Sequence, residues 1–303
     1  MRNTLLAFAF VAAGFAADSG FNGRWDIRVL NEPRNRAWWL EVTGAGAPQM
    51  KGRFVGFPGG DMNDIQKIWI DGGVLHFTFD RQNVHQEYSA KLAGNKLEGT
   101  FTQNDRTLNW VGERAPEIKE KDDGTWREGK PIALLNGKDL TGWHGLVPGK
   151  DLGWTVKDGM LSSTGGANNL ETDGKYWNFK LHVEYRVGAH SNSGIGLRGR
   201  YEVQILEDAG RPIDRHSNGA LYSRILPTEN VSKAAGEWQT YDIRLVGRDV
   251  TITLNGKMIT KGVIEGLTAI ASDPDEGKPG PITLQGDHGP VDFRSIVLTP
   301  LVK

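Results

Sequence analysis

Apolar and polar residues alternate along two neighbouring stretches of the chain, residues 179–187 and 194–206. Successive side chains of a strand point to opposite faces of a sheet, so the alternation predicts strands with one apolar and one polar face. The polar face would carry His182, Glu184, Arg186, Arg198, Glu202 and Gln204. Carboxylates, guanidinium groups and an amide on adjoining strands are typical of a surface that handles sugars. The alternative interpretation is an exposed face tied by cross-strand ion pairs.

Shorter alternating runs fill the N-terminal third of the chain. They lie at about 24–30, 36–43, 49–57, 65–71, 74–80, 85–92, 96–103 and 106–112. Turn signals such as Gly44-Ala45-Gly46 and Asp71-Gly72-Gly73 separate them. Eight successive antiparallel strands predict a small up-and-down β-barrel over residues 20–114. The opening Gly23-Arg24-Trp25 resembles lipocalin-like barrels, in which an early Gly-x-Trp packs at the closed end.

A charged segment, residues 115–130, interrupts this pattern and predicts a solvated linker between two domains. Alternation resumes over residues 131–303, where Asp158-Gly159 and Asn255-Gly256 are typical of tight hairpin turns. Long strands are predicted at 178–187, 194–206, 239–246 and 281–299. Such a segment predicts a two-sheet jelly roll whose concave sheet carries the polar face. The predicted fold class is therefore all-β, a small barrel followed by a jelly roll.

The N-terminal sequence and the composition limit the expected location of the protein and its expected partners. Residues 1–16 combine Arg2, a short apolar run and a small-x-small ending, which predicts a secretory signal peptide. We therefore expect a periplasmic or secreted protein with no membrane anchor after cleavage. The formal net charge of -1 gives no basic footprint, so nucleic acid is not an expected partner. The absence of cysteine excludes disulfides and thiol nucleophiles.

The second domain carries a series of short motifs in a fixed order. They are Leu135-Asn136-Gly137-Lys138-Asp139 with Thr141-Gly142-Trp143; 179–186; Asn192-Ser193-Gly194-Ile195; Tyr201-Glu202-Val203-Gln204; Gly219-Ala220-Leu221-Tyr222; Gly236-Glu237-Trp238; and Leu284-Gln285 with Asp287-His288-Gly289. Together they resemble the 3-keto-disaccharide hydrolase family, also described as 3-keto-glucoside-1,2-lyases and 3-keto-2-hydroxy-glucal hydratases. The resemblance implies a concanavalin-like jelly roll and does not cover the barrel. Two departures are Gln239, where the family often has Asn, and Gly286, an insertion before Asp287.

The resemblance also implies an activity, the cleavage of an oxidised substrate such as a 3-keto-glucoside or a 3-keto-disaccharide. A ketone at C3 acidifies the C2 proton, so a base removes it, the C1 substituent leaves and water adds to the enone. The implied catalytic residues are His288, Glu184 and Glu202. The implied substrate-binding residues are Arg198, Gln204, Tyr222, Arg186 and Asn192. His182, Glu184, Glu202 and His288 are also candidate ligands for a divalent cation that would stabilise an enediolate.

Two other functions stay open from the residues themselves. Jelly rolls and lipocalin-like barrels also hold ligands without chemistry, so the protein could be a non-catalytic carbohydrate-binding module. Alternatively, Glu184 and Glu202 could serve as the paired carboxylates of a conventional glycosidase. His288 and Tyr222 also have structural interpretations, as a loop anchor and as a core aromatic residue.

Overall fold

The computed structural model describes residues 18–32, 36–56, 60–81, 84–268 and 270–303. Strands and loops make up nearly all of these residues, beside one short 3-10 turn at Ser19–Phe21. The predicted all-β fold class is confirmed. Within the described ranges, no helix has the length and the apolar character needed to cross a membrane. The predicted signal peptide, residues 1–16, lies outside the described residues.

Backbone contacts divide the chain into two compact units. The first unit runs to Ala115, and the second is Pro116–Lys303 together with Gly60 and Asp61. The predicted linker therefore groups with the second unit, where it is not simply solvated. Arg127–Glu128 pairs with the last strand of the chain, and Asp122 accepts hydrogen bonds from Arg244 at 2.6 and 2.8 Å.

The first unit is a curled antiparallel meander. Its described strands are β1 (Gly23–Val29), β2 (Ala37–Thr43), β3 (Lys51–Val55), β4 (Asn63–Asp64), β5 (Lys67–Asp71), β6 (Val74–Arg81), β7 (Val84–Ala93), β8 (Lys96–Gln103) and β9 (Arg106–Arg114). Each strand pairs with the next except β4 with β5, and β1 pairs with β9. The sheet is therefore continuous from β4 through β1 and β9 to β5, with β4 and β5 as its described edges. Alternate residues such as Trp25, Trp38, Phe77 and Tyr88 are buried inside. Each contributes about 1.5–3 kcal/mol to folding.

The second unit contains two antiparallel sheets, of nine and five described strands. Its described strands are β10 (Arg127–Glu128), β11 (Ile132–Ala133), β12 (Trp143–Gly145), β13 (Trp154–Lys157), β14 (Met160–Ser163), β15 (Leu170–Thr172), β16 (Phe179–Val187), β17 (Asn192–Leu197), β18 (Tyr201–Leu206), β19 (Gln239–Val246), β20 (Asp249–Leu254), β21 (Lys257–Val263), β22 (Thr283–Leu284) and β23 (Val291–Val302). The large sheet has the order β13-β14-β23-β16-β19-β20-β21, with β10 and β11 also paired to β23. The small sheet has the order β12-β15-β22-β17-β18.

Apolar faces of the two sheets form the core of the second unit. On β16 of the large sheet every second residue is buried, from Phe179 to Val187. On the small sheet Ile195, Val203 and Leu284 are fully buried. Two apolar sheet faces exclude water by packing against each other, as in other β-sandwiches. This arrangement is the predicted jelly roll.

Two of the predicted long strands are wrong in detail. The run 194–206 is a hairpin, because Arg198 and Gly199 adopt left-handed backbone conformations (φ 57° and 65°) and reverse the chain between β17 and β18. The run 281–299 contains β22 in the small sheet and β23 in the large sheet. Alternation gives the side-chain direction along one strand, but it does not show where a strand turns or which sheet it joins.

Candidate active site

The two sheets separate the carboxylates that the sequence placed in one pocket. Glu184 lies on β16 of the large sheet, whereas Glu202 lies on β18 of the small sheet. Their strand neighbours Val183 and Val203 fill the core between the sheets. Glu184 and Glu202 therefore lie on opposite outer faces of the sandwich, and the prediction of a shared pocket is wrong. This separation also excludes them as the paired carboxylates of a glycosidase, which must flank one bond.

Glu184 belongs to a surface ion cluster. Arg294 donates a hydrogen bond to Glu184 Oε2, and His182 Nε2 lies 3.5 Å from Glu184 Oε1. His182 Nδ1 lies 2.8 Å from Asp242 Oδ1. The hydrogen bond from Arg294 is the main reason that the pKa of Glu184 is lowered. A carboxylate already paired with a guanidinium is a poor proton acceptor, so the predicted catalytic role of Glu184 is not supported.

The two predicted substrate-binding arginines have structural positions instead. Arg186 donates to Asp292 at 2.6 Å and stacks on the Trp238 ring at 5.0 Å, on the same outer face as Glu184. Arg198 is fully buried and donates to Trp177 O, Gly247 O and Asn178 Oδ1 at 2.6, 2.8 and 3.0 Å. Its guanidinium group is committed to the protein, so the prediction that Arg198 binds substrate is wrong.

The outer face of the small sheet carries the candidate site, which includes Glu202 and Gln204. In the β17–β18 register Gly194 lies opposite Gln204, and Gly196 lies opposite Glu202. A Cβ atom on Gly194 would collide with the Glu202 carboxylate, and one on Gly196 would collide with the Thr283 hydroxyl. The two glycines therefore leave the space that these polar groups occupy. Asn192 begins the same strand on the same face, so its predicted contact with substrate stays a prediction.

Three polar atoms on this face are buried without a hydrogen-bond partner in the part of the chain that the structure describes. They are Glu202 Oε2, Gln204 Oε1 and Thr283 Oγ1. Thr283 reaches the same face because β22 pairs it with Gly196 across the sheet. Leaving a buried polar atom unsatisfied costs about 1–3 kcal/mol. Three such atoms together make this face the candidate site.

Glu202 has the most strongly perturbed carboxyl group of this face. Burial raises its pKa to about 8, partly opposed by the charges of His288 and Arg224 and reinforced by that of Asp287. The group is therefore mostly protonated at neutral pH and is able to donate a proton. The loop that carries Asp287 and His288 lies along the start of β17, because the backbone N–H groups of Gln285 and Gly289 donate to Gly194 O and Asn192 O at 2.9 and 3.2 Å. The predicted catalytic role of His288 stays a prediction.

The loop that carries His288 is fastened at several points. His288 Nδ1 lies 2.7 Å from Asp287 Oδ1, a contact that orients the imidazole ring. The backbone N–H groups of Gly286 and Asp287 donate to Asn169 Oδ1 at 2.8 and 3.2 Å. A Cβ on Gly286 would collide with the Trp154 indole. The inserted Gly286 is thus accommodated against Trp154 and Asn169, and His288 remains half-exposed beside the site.

Tyr222 and Arg224 approach Glu202 from the segment that follows β18. The Tyr222 backbone N–H donates to Glu202 O at 2.9 Å, and the Tyr222 ring lies 4.7 Å from the His216 ring. Burial is the main cause that raises the pKa of Tyr222 to about 12, so its hydroxyl stays a donor at neutral pH. Arg224 donates to Glu265 O at 3.1 Å and to Leu267 O, which holds its positive charge near Glu202.

The four predicted metal ligands do not form one set. His182 and Glu184 lie on the outer face of the large sheet, while Glu202 and His288 belong to the small-sheet site. Among the described residues, no group of three or more histidine or carboxylate side chains is arranged to hold a metal ion. The predicted four-residue cation site is therefore wrong as a set.

Several residues of the site were not predicted from the sequence. Arg224, Thr283 and Asn169 reach it through the packing of distant segments. Thr283 immediately precedes the Leu284-Gln285 motif, and Arg224 follows Tyr222 by two residues, so proximity to recognised motifs was the available signal.

Comparisons with known proteins bear on this site. Residues 130–299 match the model of a family described as the 3-keto-alpha-glucoside-1,2-lyase-like domain. The chain is also similar to a 3-keto-disaccharide hydrolase of Bacteroides thetaiotaomicron, at 35% identity over 35% of this chain and 49% of that protein. The chain thus spans about half the length of the curated relative that it matches.

Solved structures from Parabacteroides distasonis are similar as well. One protein described as a glycosyl hydrolase is 26% identical, covers 60% of this chain and 93% of its own, and has a TM-score of 0.49. A second one is 22% identical, covers 55% of this chain and 92% of its own, and has a TM-score of 0.47.

Proposed function

The chain belongs to the 3-keto-alpha-glucoside-1,2-lyase-like family, and from this premise we propose that its second unit cleaves 3-keto-glucosides by elimination and hydration. One observation carries the proposal beyond the family match. Glu202, a buried carboxyl group with a pKa of about 8, faces a surface of unpartnered polar atoms beside the Asp287–His288 pair. This arrangement supplies a proton donor, a histidine and hydroxyl-binding groups at one place.

In the proposed elimination, His288 removes the C2 proton of the 3-keto sugar. Asp287 holds the Nδ1 side of the ring at 2.7 Å and stabilises the imidazolium that forms. The electron pair of the C2–H bond first forms an enolate with the C3 ketone. The enolate then restores the ketone and forms the C1=C2 double bond as the C1–O bond breaks, and protonated Glu202 gives its proton to the leaving oxygen. The positive charge of Arg224 favours the Glu202 carboxylate that results.

In the proposed hydration the two groups exchange roles. The Glu202 carboxylate takes a proton from water, whose oxygen adds to C1, and imidazolium His288 returns a proton to C2. The products are a 3-keto sugar and the free alcohol, and both side chains regain their starting protonation. Gln204, Thr283 and Tyr222 would bind sugar hydroxyl groups, which satisfies the buried oxygens of Gln204 and Thr283.

The decisive experiment incubates the full chain with a 3-keto-glucoside and, separately, with its unoxidised parent. We expect turnover of the oxidised sugar alone, with kcat/KM falling as the pH rises through about 8 because Glu202 loses its proton. Glu202→Gln should be inactive. Glu184→Gln, the same change on the opposite face, should retain activity and serves as the matched control.

Equal turnover of both sugars would contradict the elimination route. Saturable sugar binding without any turnover would favour the carbohydrate-binding module. Loss of activity in Glu184→Gln but not in Glu202→Gln would move the site to the large sheet.

We also propose that the protein is exported through a signal peptide at residues 1–16. The support is the charged start, the apolar run and the small-x-small ending of that segment. N-terminal sequencing of the protein from a bacterial expression host should find the mature chain beginning near Ala17. An uncleaved chain in the cytoplasm would contradict the proposal.

A further inference from the structure

The outer wall of the first unit contains a groove that the proposed reaction does not use. It lies across β6 to β9 and has a volume of about 510 Å³. This volume falls in the usual range for small-molecule sites, about 300–1,000 Å³. Its lining includes Ser89, Lys91, Glu98, Thr100, Asn109 and Val111.

Strand register places the lining side chains in two parallel rows. The first row contains Ser89, Thr100 and Asn109, and the second contains Val74, Lys91, Glu98 and Val111. Both rows point outward, since their strand neighbours Leu75, Tyr88 and Phe101 are buried in the barrel core. The rows lie about 7 Å apart, and four strands span about 14 Å, which makes a shallow trough long enough for a disaccharide.

The first row offers hydrogen-bonding capacity that the protein leaves incompletely used. Ser89 Oγ and Thr100 Oγ1 lie 2.8 Å apart, so one hydroxyl proton joins them and the other is available to a ligand. Asn109, at the β9 end of the row, adds a side-chain amide that can both donate and accept.

The second row sets the electrostatic character of the groove. Lys91 and Glu98 are directly opposed on β7 and β8, so their formal charges cancel. Val74 and Val111 stand at the two ends of this row and supply apolar contact area. Hydroxyl and amide groups beside apolar contacts, without net charge, match a ligand that has many hydroxyl groups and no charge.

We propose that this groove is a binding site for a neutral sugar, separate from the catalytic site. The negative charge of an anionic sugar would contact Lys91 only beside the negative charge of Glu98, so it would add little binding free energy. The inference rests on the first unit alone and does not depend on the reaction proposed for the second unit.

The test uses the full chain, with maltose as the neutral probe and glucuronic acid as the charged one. Binding is measured by isothermal titration and by saturation-transfer NMR. Thr100→Trp should fill the trough and weaken maltose binding at one site by at least about tenfold, the cost of losing roughly 1.4 kcal/mol. Thr102→Trp places the same bulk on the same strand and face, outside the lining, and is the matched control.

Four outcomes decide the proposal. Weaker binding in Thr100→Trp alone, with unchanged cleavage of the 3-keto-glucoside, supports it. Equal maltose binding by the wild type and both variants overturns it, as does preferential binding of glucuronic acid. Should Thr100→Trp fail to fold, Ser89→Ala with Asn109→Ala replaces it, and undiminished maltose binding by that double variant overturns the proposal.

Discussion

Replacing Glu202 by glutamine should change how the stability of the second unit depends on pH. Burial raises the Glu202 pKa from an ordinary value of 4.5 to about 8, so the folded state binds this proton more tightly than the unfolded state. Linkage then requires that the free energy of unfolding falls as the pH rises from about 4.5 to about 8, and that it levels off above. Glutamine has nearly the same shape as glutamic acid but does not titrate, so Glu202→Gln removes this pH dependence.

The size of the effect follows from the same shift. At about 1.4 kcal/mol per pH unit, ionising Glu202 in place lowers the free energy of unfolding by at most about 5 kcal/mol. Water entering the site would reduce this value to a few kcal/mol. Relative to the wild type, Glu202→Gln should therefore gain stability steadily between pH 5 and pH 8 and keep a constant advantage at pH 9.

The assay is urea unfolding of wild type and Glu202→Gln at pH 5, 7 and 9, followed by tryptophan fluorescence. Because other titrating groups are common to both proteins, the difference between the two curves isolates Glu202. A difference that is constant from pH 5 to pH 9 would refute the raised pKa. If the variant gained stability over the wild type only at acidic pH, the folded state would lower the Glu202 pKa instead of raising it.

Three further outcomes test the site and its frame. His288→Ala should lower kcat by roughly 10²–10⁴-fold, measured on the 3-keto-glucoside, with an unchanged melting temperature; a large loss of stability would make His288 a loop anchor. Gly194→Ala should abolish turnover while circular dichroism stays native, because its Cβ would displace the Glu202 carboxylate; full activity would show that Glu202 can move without consequence. Arg198→Ala should cost about 2–6 kcal/mol in urea unfolding, since it leaves Trp177 O and Gly247 O without the hydrogen bonds that Arg198 donates, whereas the half-exposed Arg294→Ala should cost under about 1 kcal/mol; equal costs would contradict the structural role of Arg198.

Most strands could be predicted because their signals are local. Alternation and Gly-rich turns located β1 to β3 and β5 to β9 to within a few residues, and β4 was missed because two residues are too short for a pattern. The predicted strand 194–206 concealed a turn at Arg198-Gly199-Arg200, where the glycine was the available signal. Arg198 was predicted to lie on the polar strand face, but it is buried.

Residues of the candidate site could be predicted only where they belong to a motif that resembles the family. Glu202, Gln204, Tyr222 and His288 stand in motifs that resemble the family, and they lie on one face or close to it. Glu184 also stands in such a motif but lies in the other sheet. Which sheet a strand joins depends on pairing across more than a hundred residues, such as β16 with β23, and alternation within a strand contains no information about that choice.

The placement of Glu184 on the face opposite Glu202 has a practical consequence for handling the protein. The chain contains no cysteine, so Glu184→Cys would introduce a single thiol at a known position. A fluorophore or a solid support attached there would be separated from Glu202 by both sheets of the sandwich. Every molecule on the support would then carry its attachment at the same place, on the face of the sandwich opposite Glu202.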